Sequence, residues 1–238
     1  MANDFEKMPI DNSNIAWCFT GDTLSDGKPI PLINQTIKFS DNIQIYKSGY
    51  NWSKYPTDAL SHAGCHDNIY MLHRIYFGGE IIEKYNDGVS SELTILATID
   101  ASQLLLRYAA DLALSLSHLY EIPDVVKEYL TTLNASTLKI SHITIQKLYN
   151  DLNISTNRKN ISDLVILKAI ETAYNCISHD KFTCDKALNV KMSCIDTHRH
   201  ISIMNGYKIF ASRYYRNIPN TFLDFDERTY TAFSVNGY

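Results

Sequence analysis

The sequence has no apolar stretch near the roughly 18 residues that a membrane-spanning helix needs. Its 22 Lys and Arg residues are outnumbered by 26 Asp and Glu residues, which gives a net charge of −4. Nonspecific DNA binding is not expected, because it depends on a broad basic surface. The first residues are polar and acidic, which is not typical of a signal peptide. These features predict a cytoplasmic protein with no membrane partner.

Cysteine is scarce, with five residues at scattered positions. An odd, irregular set does not resemble a disulfide framework and fits reduced thiols in a cytosol. The sequence His62-x-x-Cys65-His66 contains ligand types that suit zinc, but a structural zinc site needs four ligands and no second ligand pair follows. We therefore predict no metal site and no cofactor.

The common catalytic signatures are missing as well. The sequence contains no Walker A motif, no Gly-x-Gly-x-x-Gly, no Gly-x-Ser-x-Gly and no His-Glu-x-x-His. This argues against the common nucleotide hydrolases and proteases but leaves an unusual enzyme open. We assign no catalytic residue from the sequence.

Glycine is concentrated in one part of the chain, since seven of the nine glycines come before residue 90. Alternating apolar and polar residues are typical of strands in this part, and apolar spacings of three and four are typical of helices after it. We predict an α+β fold, with a mainly antiparallel N-terminal sheet followed by a helical region. Residues 1–99 form the β-rich part and residues 100–238 form the helical part with an aromatic tail. Whether the two parts share one core stays open.

The clearest local prediction is a β-hairpin over residues 69–99. Residues 69–77 alternate strongly, and the turn is expected at Asn86-Asp87-Gly88, because Asn and Asp tolerate left-handed φ and Gly has no Cβ. A helix follows, with Asp100 as the predicted N-cap and Pro123 beyond its end.

Weaker patterns predict the remaining elements. Strands are expected at 15–20, 35–39 and 43–46, and helices at 57–62, 124–133, 136–152, 161–177 and 183–204. The tail at 206–238 either adds a helix and a strand or wraps the helical part.

Residues 49–130 carry a series of short motifs in one collinear order. The motifs are Pro-x-Asp-Ala-Leu from Pro56, Gly-Glu-Ile from Gly79, Ser-Glu-x-Thr-Ile-Leu from Ser91, Leu-Arg-x-aromatic-Ala from Leu106, His-Leu-aromatic from His118 and Pro-x-Val-Val-x-x-Tyr-Leu from Pro123. In this series the chain resembles an uncharacterised family of phage and prophage proteins. That family also shows a Gly-x-His-Ala turn, and here Asn51-Trp52 stands in place of its His-Ala. The resemblance implies a phage origin and a shared fold, and it leaves the role of the family histidine in doubt.

Six residues are the candidate ligand-binding residues: Tyr50, Asn51, Trp52, Glu92, Arg107 and His118. The aromatic faces near the first turn could stack on a base or fill a core. Arg107 could bind phosphate or form a structural ion pair with Glu92 or Glu80. A glutamate on a small sheet loosely resembles ADP-ribosyltransferase-like folds. If these residues form a site, we expect it between the hairpin and the long helix.

Two functional hypotheses follow. The first is a phage-encoded, non-enzymatic binding protein of the infected bacterial cytoplasm, which inhibits a host defence system through a host protein partner. The alternative is a protein that binds a small nucleotide, either as a signal-nucleotide sponge or as an ADP-ribosyltransferase-like enzyme. A homodimer through the aromatic tail is a further hypothesis, because buried Tyr and Phe contribute strongly to interfaces.

Overall fold

The computed structural model describes residues 12–24, 27–63, 68–155, 160–177, 181–204 and 221–235. Spatial proximity divides the chain into two compact units. The sheet unit comprises Met1–Ala63, Ile69–Asp100 and Thr229–Tyr238, and the helical unit comprises Gly64–Asn68 and Ala101–Arg228. The predicted α+β fold is confirmed, with the antiparallel sheet in the N-terminal half and helices in the C-terminal half.

Five strands and one helix build the sheet unit. They are β1 (Ile15–Thr20), β2 (Thr36–Lys38), β3 (Tyr50–Ser53), α1 (Pro56–Ala63), β4 (Met71–Lys84) and β5 (Asp87–Asp100). The strand order is β2-β5-β3-β1-β4, all neighbours are antiparallel, and β4 also pairs with β5. The pairing therefore closes into a ring through β1, β4, β5 and β3.

Large apolar side chains form the hydrophobic core of the sheet unit. Trp52 stacks on Phe77 with ring centroids 3.8 Å apart, and the surrounding buried residues are Ala16, Leu24, Tyr50, Ile75, Leu93 and Ile95. Trp17 follows Ala16 on β1, and successive strand residues point to opposite faces. Its indole accordingly has other neighbours, Tyr230 and Phe233, whose ring centroids lie 5.3 and 5.0 Å away.

The hairpin is present, but its turn lies two residues earlier than predicted. Lys84 pairs with Asp87, so the turn residues are Tyr85 and Asn86, and Tyr85 takes the left-handed conformation with φ +60°. Gly88 is a strand residue, and a Cβ added to it would lie 2.2 Å from a Trp52 ring carbon. Glycine is needed at 88 because the indole approaches the backbone closely.

A bulge divides β4 into two parts. The register with β5 shifts between Gly78 and Ile81, and Gly79 has φ +72°. The Glu80 amide donates to Ser91 Oγ at 2.8 Å, and a Cβ on Gly79 would lie 2.2 Å from that oxygen. The bulge therefore depends on Gly79, which has no Cβ to clash, and on Ser91, whose hydroxyl accepts from the Glu80 amide.

Helices α2 to α6 form most of the helical unit. Their bounds are α2 (Ser102–Ser115), α3 (Asp124–Thr132), α4 (Ala135–Ser155), α5 (Ile161–Cys176) and α6 (Cys184–Met204). The helix pattern of the sequence is confirmed, although α2 begins at Ser102 and its capping residue is Ala101, where Asp100 was predicted. Helix α2 contacts α3, α5 and α6, and α5 packs along α6.

The last described helix, α7 (Thr221–Val235), has residues assigned to both units. In the helical unit, its Phe225 packs against Tyr108 of α2 with ring centroids 4.9 Å apart. The remainder of the predicted tail, before residue 221 and after 235, lies outside the described residues. No helix among the described residues is both long and apolar enough to cross a membrane.

Candidate functional site

Asp87, the first residue of β5, lies at the centre of a group of polar side chains in the sheet unit. Ser53 Oγ donates to its Oδ1 at 2.7 Å, while His62 Nε2 and the Tyr46 hydroxyl donate to its Oδ2 at 2.9 and 3.2 Å. We call these four residues the Asp87 cluster. Three different elements and one turn thus meet at a single carboxylate.

Each member of the cluster is placed by a separate local feature. Ser53 ends β3 opposite Asp87 in the strand pairing, and His62 lies in the last turn of α1. Tyr46 occupies a tight turn with φ +63°, closed by a bridge between Gln44 and Ser48. The strand predicted over residues 43–46 is therefore wrong. Its alternation of polar and apolar residues leads into a turn, where Asn51 Oδ1 accepts from the Tyr46 amide at 2.9 Å.

Ring stacking and the charge of Asp87 connect the aromatic and charged groups of the cluster. The Tyr46 ring stacks on the His62 imidazole with centroids 4.8 Å apart. Partial burial, together with the charge and hydrogen bond of Asp87, raises the pKa of Tyr46, and the charge of Asp58 adds to this. The hydroxyl consequently keeps its proton and remains a donor to the carboxylate.

The order of the groups limits the chemistry of the cluster. In nucleophilic triads a histidine lies between the carboxylate and the hydroxyl, so that the imidazole takes the hydroxyl proton. Here Asp87 lies between Ser53 and His62, and both donate to it. The carboxylate holds the two side chains in place, and His62 is not positioned to activate Ser53.

Three exposed tyrosines lie in or next to the segments that form the cluster: Tyr46 belongs to it, Tyr55 is two residues from Ser53, and Tyr85 is two residues from Asp87. The exposed fractions are 47% for Tyr46, 47% for Tyr55 and 88% for Tyr85. The Lys54 amide donates to the Asn86 carbonyl at 2.7 Å, which holds the chain at Tyr55 beside the turn that carries Tyr85. We call Tyr46, Tyr55 and Tyr85 the tyrosine rim.

Two of the predicted site residues belong to the core. Tyr50 is buried and packs edge-on against Phe39 at 6.1 Å, and Trp52 is buried against Phe77. Of the two roles left open for these aromatic residues, stacking on a base or filling a core, their burial fits the core. Asn51, between them, is exposed and contacts the Asp87 cluster through Tyr46.

Glu92 makes an ion pair within the sheet. Its Oε1 lies 2.6 Å from Lys38 Nζ, and the two residues are opposite each other in the pairing of β2 with β5. This contact is a cross-strand pair of opposite charges, which stabilises a sheet. Glu92 does not contact the other predicted residues of its unit, Tyr50, Asn51 and Trp52, in any described interaction.

Arg107 lies in the helical unit, where its donors are used at the end of α3. Its Nη1 donates to the Thr131 carbonyl at 2.9 Å, and its Nη2 donates to the Leu130 carbonyl at 2.8 Å. Asp111 lies 2.6 Å from the same Nη2 and 2.6 Å from Arg228 Nη1. The last carbonyls of a helix have no partner within it, and this guanidinium satisfies two of them. Of the two roles left open for Arg107, phosphate binding or a structural ion pair, these contacts fit a structural one, with Asp111 as the ion-pair partner in place of a hairpin glutamate.

His118, the last predicted residue, lies in the short 3-10 turn Ser117–Leu119 of the helical unit. Its Nδ1 is 3.0 Å from the Ser115 carbonyl. The pKa of the neighbouring His198 is lowered by burial and, to a lesser extent, by the charge of His118. Arg107 and His118 therefore make separate structural contacts, and neither touches the other in any described interaction.

The described thiols and the buried histidine have the features of structural groups. Burial raises the pKa of Cys18 and of Cys176 to about 12 and that of Cys194 to about 11, so these thiols stay protonated at neutral pH. His73 is buried between the hydroxyls of Thr20 and Thr98 at 2.8 and 2.7 Å. Burial lowers its pKa to about 4.

Of the His62-x-x-Cys65-His66 motif, only His62 is among the residues that the structure describes. Cys65 and His66 lie outside the described residues, while His62 donates to Asp87. Within the described part of the chain, no group of three or more His, Cys, Asp and Glu side chains is arranged to hold a metal ion.

The Asp87 cluster was missed in the sequence because its members are far apart along the chain. Tyr46, Ser53, His62 and Asp87 meet only through the pairing of β3 with β5. One local signal was available: Ser53 is a short polar residue within the aromatic segment that runs from Tyr50 to Tyr55. The sequence matches no protein-family model, and comparisons with curated proteins and with solved structures give no match.

Proposed function

We propose that this chain is a phage-encoded, non-enzymatic binding protein that acts on a protein partner in the infected bacterium through the tyrosine rim. The observation that carries the proposal is the Asp87 cluster, which joins three chain segments at one carboxylate, next in sequence to the exposed Tyr55 and Tyr85. Tyrosine is enriched at protein interfaces because it offers a large, amphipathic contact area with few rotatable bonds. A preorganised rim loses little conformational entropy when it binds.

The polar groups beside the rim suit a partner of mixed charge. Asp58 and Asn86 are hydrogen bonded at 3.1 Å, and Lys54 lies 3.6 Å from Glu83. These groups are exposed, so they add specificity and association rate more than affinity. The resemblance to phage proteins supports a host protein as the partner, and a component of a host defence system is the proposed target.

The nucleotide alternative depends on the six residues predicted from the sequence. Tyr50 and Trp52 are core residues, and Arg107 caps a helix. These contacts favour the protein-partner proposal over a nucleotide site built from that set.

Phage restriction in a bacterium that carries a defence system tests the proposal. Expression of the wild-type protein should raise the plating efficiency of a restricted phage, and the double variant Tyr55→Ala/Tyr85→Ala should lose this effect. The matched control is Ile140→Ala/Ile143→Ala, which removes two exposed apolar side chains from α4 of the helical unit. The rim is not the binding surface if the tyrosine variant is folded and still protects the phage, and the defence role fails if the wild type protects against no system.

A further inference from the structure

The outer part of β4, from Ile81 to Lys84, is an edge of the sheet among the described strands. It pairs with β5, whereas the pairing of β1 with β4 ends at Tyr76. On the other side of β5 lies β3, and Val89 and Ser90 of β5 are buried. By contrast, Ile81 and Ile82 are 38% and 37% exposed.

The hairpin turn determines which backbone groups face outward along this edge. Lys84 and Asp87 flank a two-residue turn, so they form a hydrogen-bonded pair, and the pairs then alternate along the ladder. Ile82 therefore bonds to β5, while the amides and carbonyls of Ile81 and Glu83 point away from β5. An edge with such groups is a template for another strand.

The sequence of this edge is complementary to itself in one antiparallel register. With Ile82 opposite Ile82 of a second copy, Ile81 faces Glu83 and Glu80 faces Lys84, and each of these pairs occurs twice. The outward backbone groups of Ile81 and Glu83 then bond to each other across the pair. A shift of one residue would place outward-facing backbone groups opposite inward-facing ones, which the ladder does not allow. Of the registers that the ladder allows, only the first pairs Glu80 with Lys84, and a shift of two residues toward the turn would place Glu83 opposite Glu83, two like charges.

We propose that two copies of this chain form a symmetric dimer by antiparallel pairing of residues 80–84 about Ile82. The dimer does not depend on the proposed function, because it is argued from the backbone and charges of residues 80–84, whereas the proposed function is argued from the side chains of the tyrosine rim, and each is tested by its own variants. A five-residue strand pair buries much less than the roughly 1,200–2,000 Å² of a standard interface. The dimer is consequently weak, with a dissociation constant in the micromolar range, and it dissociates as salt screens the charge pairs.

Sedimentation velocity on purified full-length protein over a range of concentrations is the first measurement. The wild type should show a concentration-dependent dimer. Glu80→Lys alone and Lys84→Glu alone each create two like-charge pairs and should weaken self-association by about tenfold. An equimolar mixture of the two variants should associate as strongly as the wild type, because every charge pair is opposite again.

The charge controls are Glu121→Lys and Lys139→Glu, which make the same changes at exposed positions of the helical unit. Neither should alter association, alone or mixed. Weaker association of each 80/84 variant alone, recovery in their mixture and no change with the control variants support the pairing. A wild type that stays monomeric up to about 500 µM overturns the dimer, since even a millimolar dissociation constant would show association there.

A cysteine at position 82 tests the register directly. Opposed residues in a non-hydrogen-bonded antiparallel pair have Cα atoms about 4.5 Å apart, within disulfide range. Ile82→Cys should give a covalent dimer on mild oxidation, while Tyr85→Cys, which is more exposed, should give far less. Equal cross-linking of the two variants, or none at position 82, contradicts the register.

Discussion

At the scale of single residues, Asp87 is the group on which the cluster depends. Asp87→Asn leaves one carbonyl oxygen for three donors and turns an amide group toward at least one of them. We expect a loss of about 1–3 kcal/mol in the free energy of unfolding. Urea denaturation measures it, with Asp41→Asn, an exposed aspartate of the same unit, as the control. Equal values for the two variants would show that Asp87 has no organising role.

His73 gives the sheet unit a defined response to acid. Its folded pKa of about 4 is below the unfolded value of 6.5, so the unfolded chain binds the proton more readily. The contribution of this residue is complete above pH 6.5 and is lost as pH falls toward 4, by about 3 kcal/mol. His73→Gln should flatten the rise in stability between pH 4 and 6.5 in urea denaturation, while His142→Gln in the helical unit should not.

The sequence identified the neighbourhood of the candidate site but not its residues. Asn51 was predicted and contacts Tyr46, whereas Tyr50 and Trp52 were predicted beside it and are buried. A sequence does not state which face of a strand is covered until the partner strands are known. The pairing of β3 with β5 joins residues more than thirty positions apart, for example Ser53 and Asp87. Helix α1 follows β3 and carries His62, so the contact of His62 with Asp87 could not be predicted without knowing this pairing.

At the scale of elements, the hairpin contains a glycine that is needed for tertiary packing, although in the sequence it is typical of a turn. Gly88 appeared to belong to the turn, but its lack of a Cβ accommodates the indole of Trp52. Gly88→Ala should cost about 1–3 kcal/mol, because the added methyl overpacks the core. Gly78→Ala is the control, since its Cβ would meet its nearest neighbour at an ordinary 3.6 Å. Thermal unfolding compares the two, and equal midpoints would contradict the close packing.

The helices were predictable because their signal is local. Apolar spacings of three and four placed α3 to α6 within a few residues of their observed bounds, whereas α2 ends at Ser115, well before the stop expected at Pro123. The turn around Tyr46 was not predictable by the same reasoning. Residues 43–46 alternate like a strand, but Tyr46 takes a left-handed φ that tyrosine rarely adopts and that the bonds to Asn51 and Asp87 support.

At the scale of the whole molecule, the sheet unit includes residues from both halves of the chain. Phe233 is buried and packs edge-on against Trp17. Phe233→Ala should lower the free energy of unfolding by about 3–5 kcal/mol, and Phe233→Leu, which keeps most of the volume, by less than half of that. Both tryptophans, Trp17 and Trp52, lie in the sheet unit, so their emission during urea denaturation reports on this unit. An unchanged midpoint for Phe233→Ala would show that the ring contact contributes nothing.

The assembly of the sheet unit from both halves also sets its timing during translation. Asp100 is synthesised before residues 101–228 of the helical unit and Thr229 after them, which at about 5–20 residues per second separates them by roughly ten seconds. During that interval the indole of Trp17 lacks Tyr230 and Phe233. The indole of Trp17 therefore keeps part of its apolar surface uncovered until residues 230 and 233 have been made.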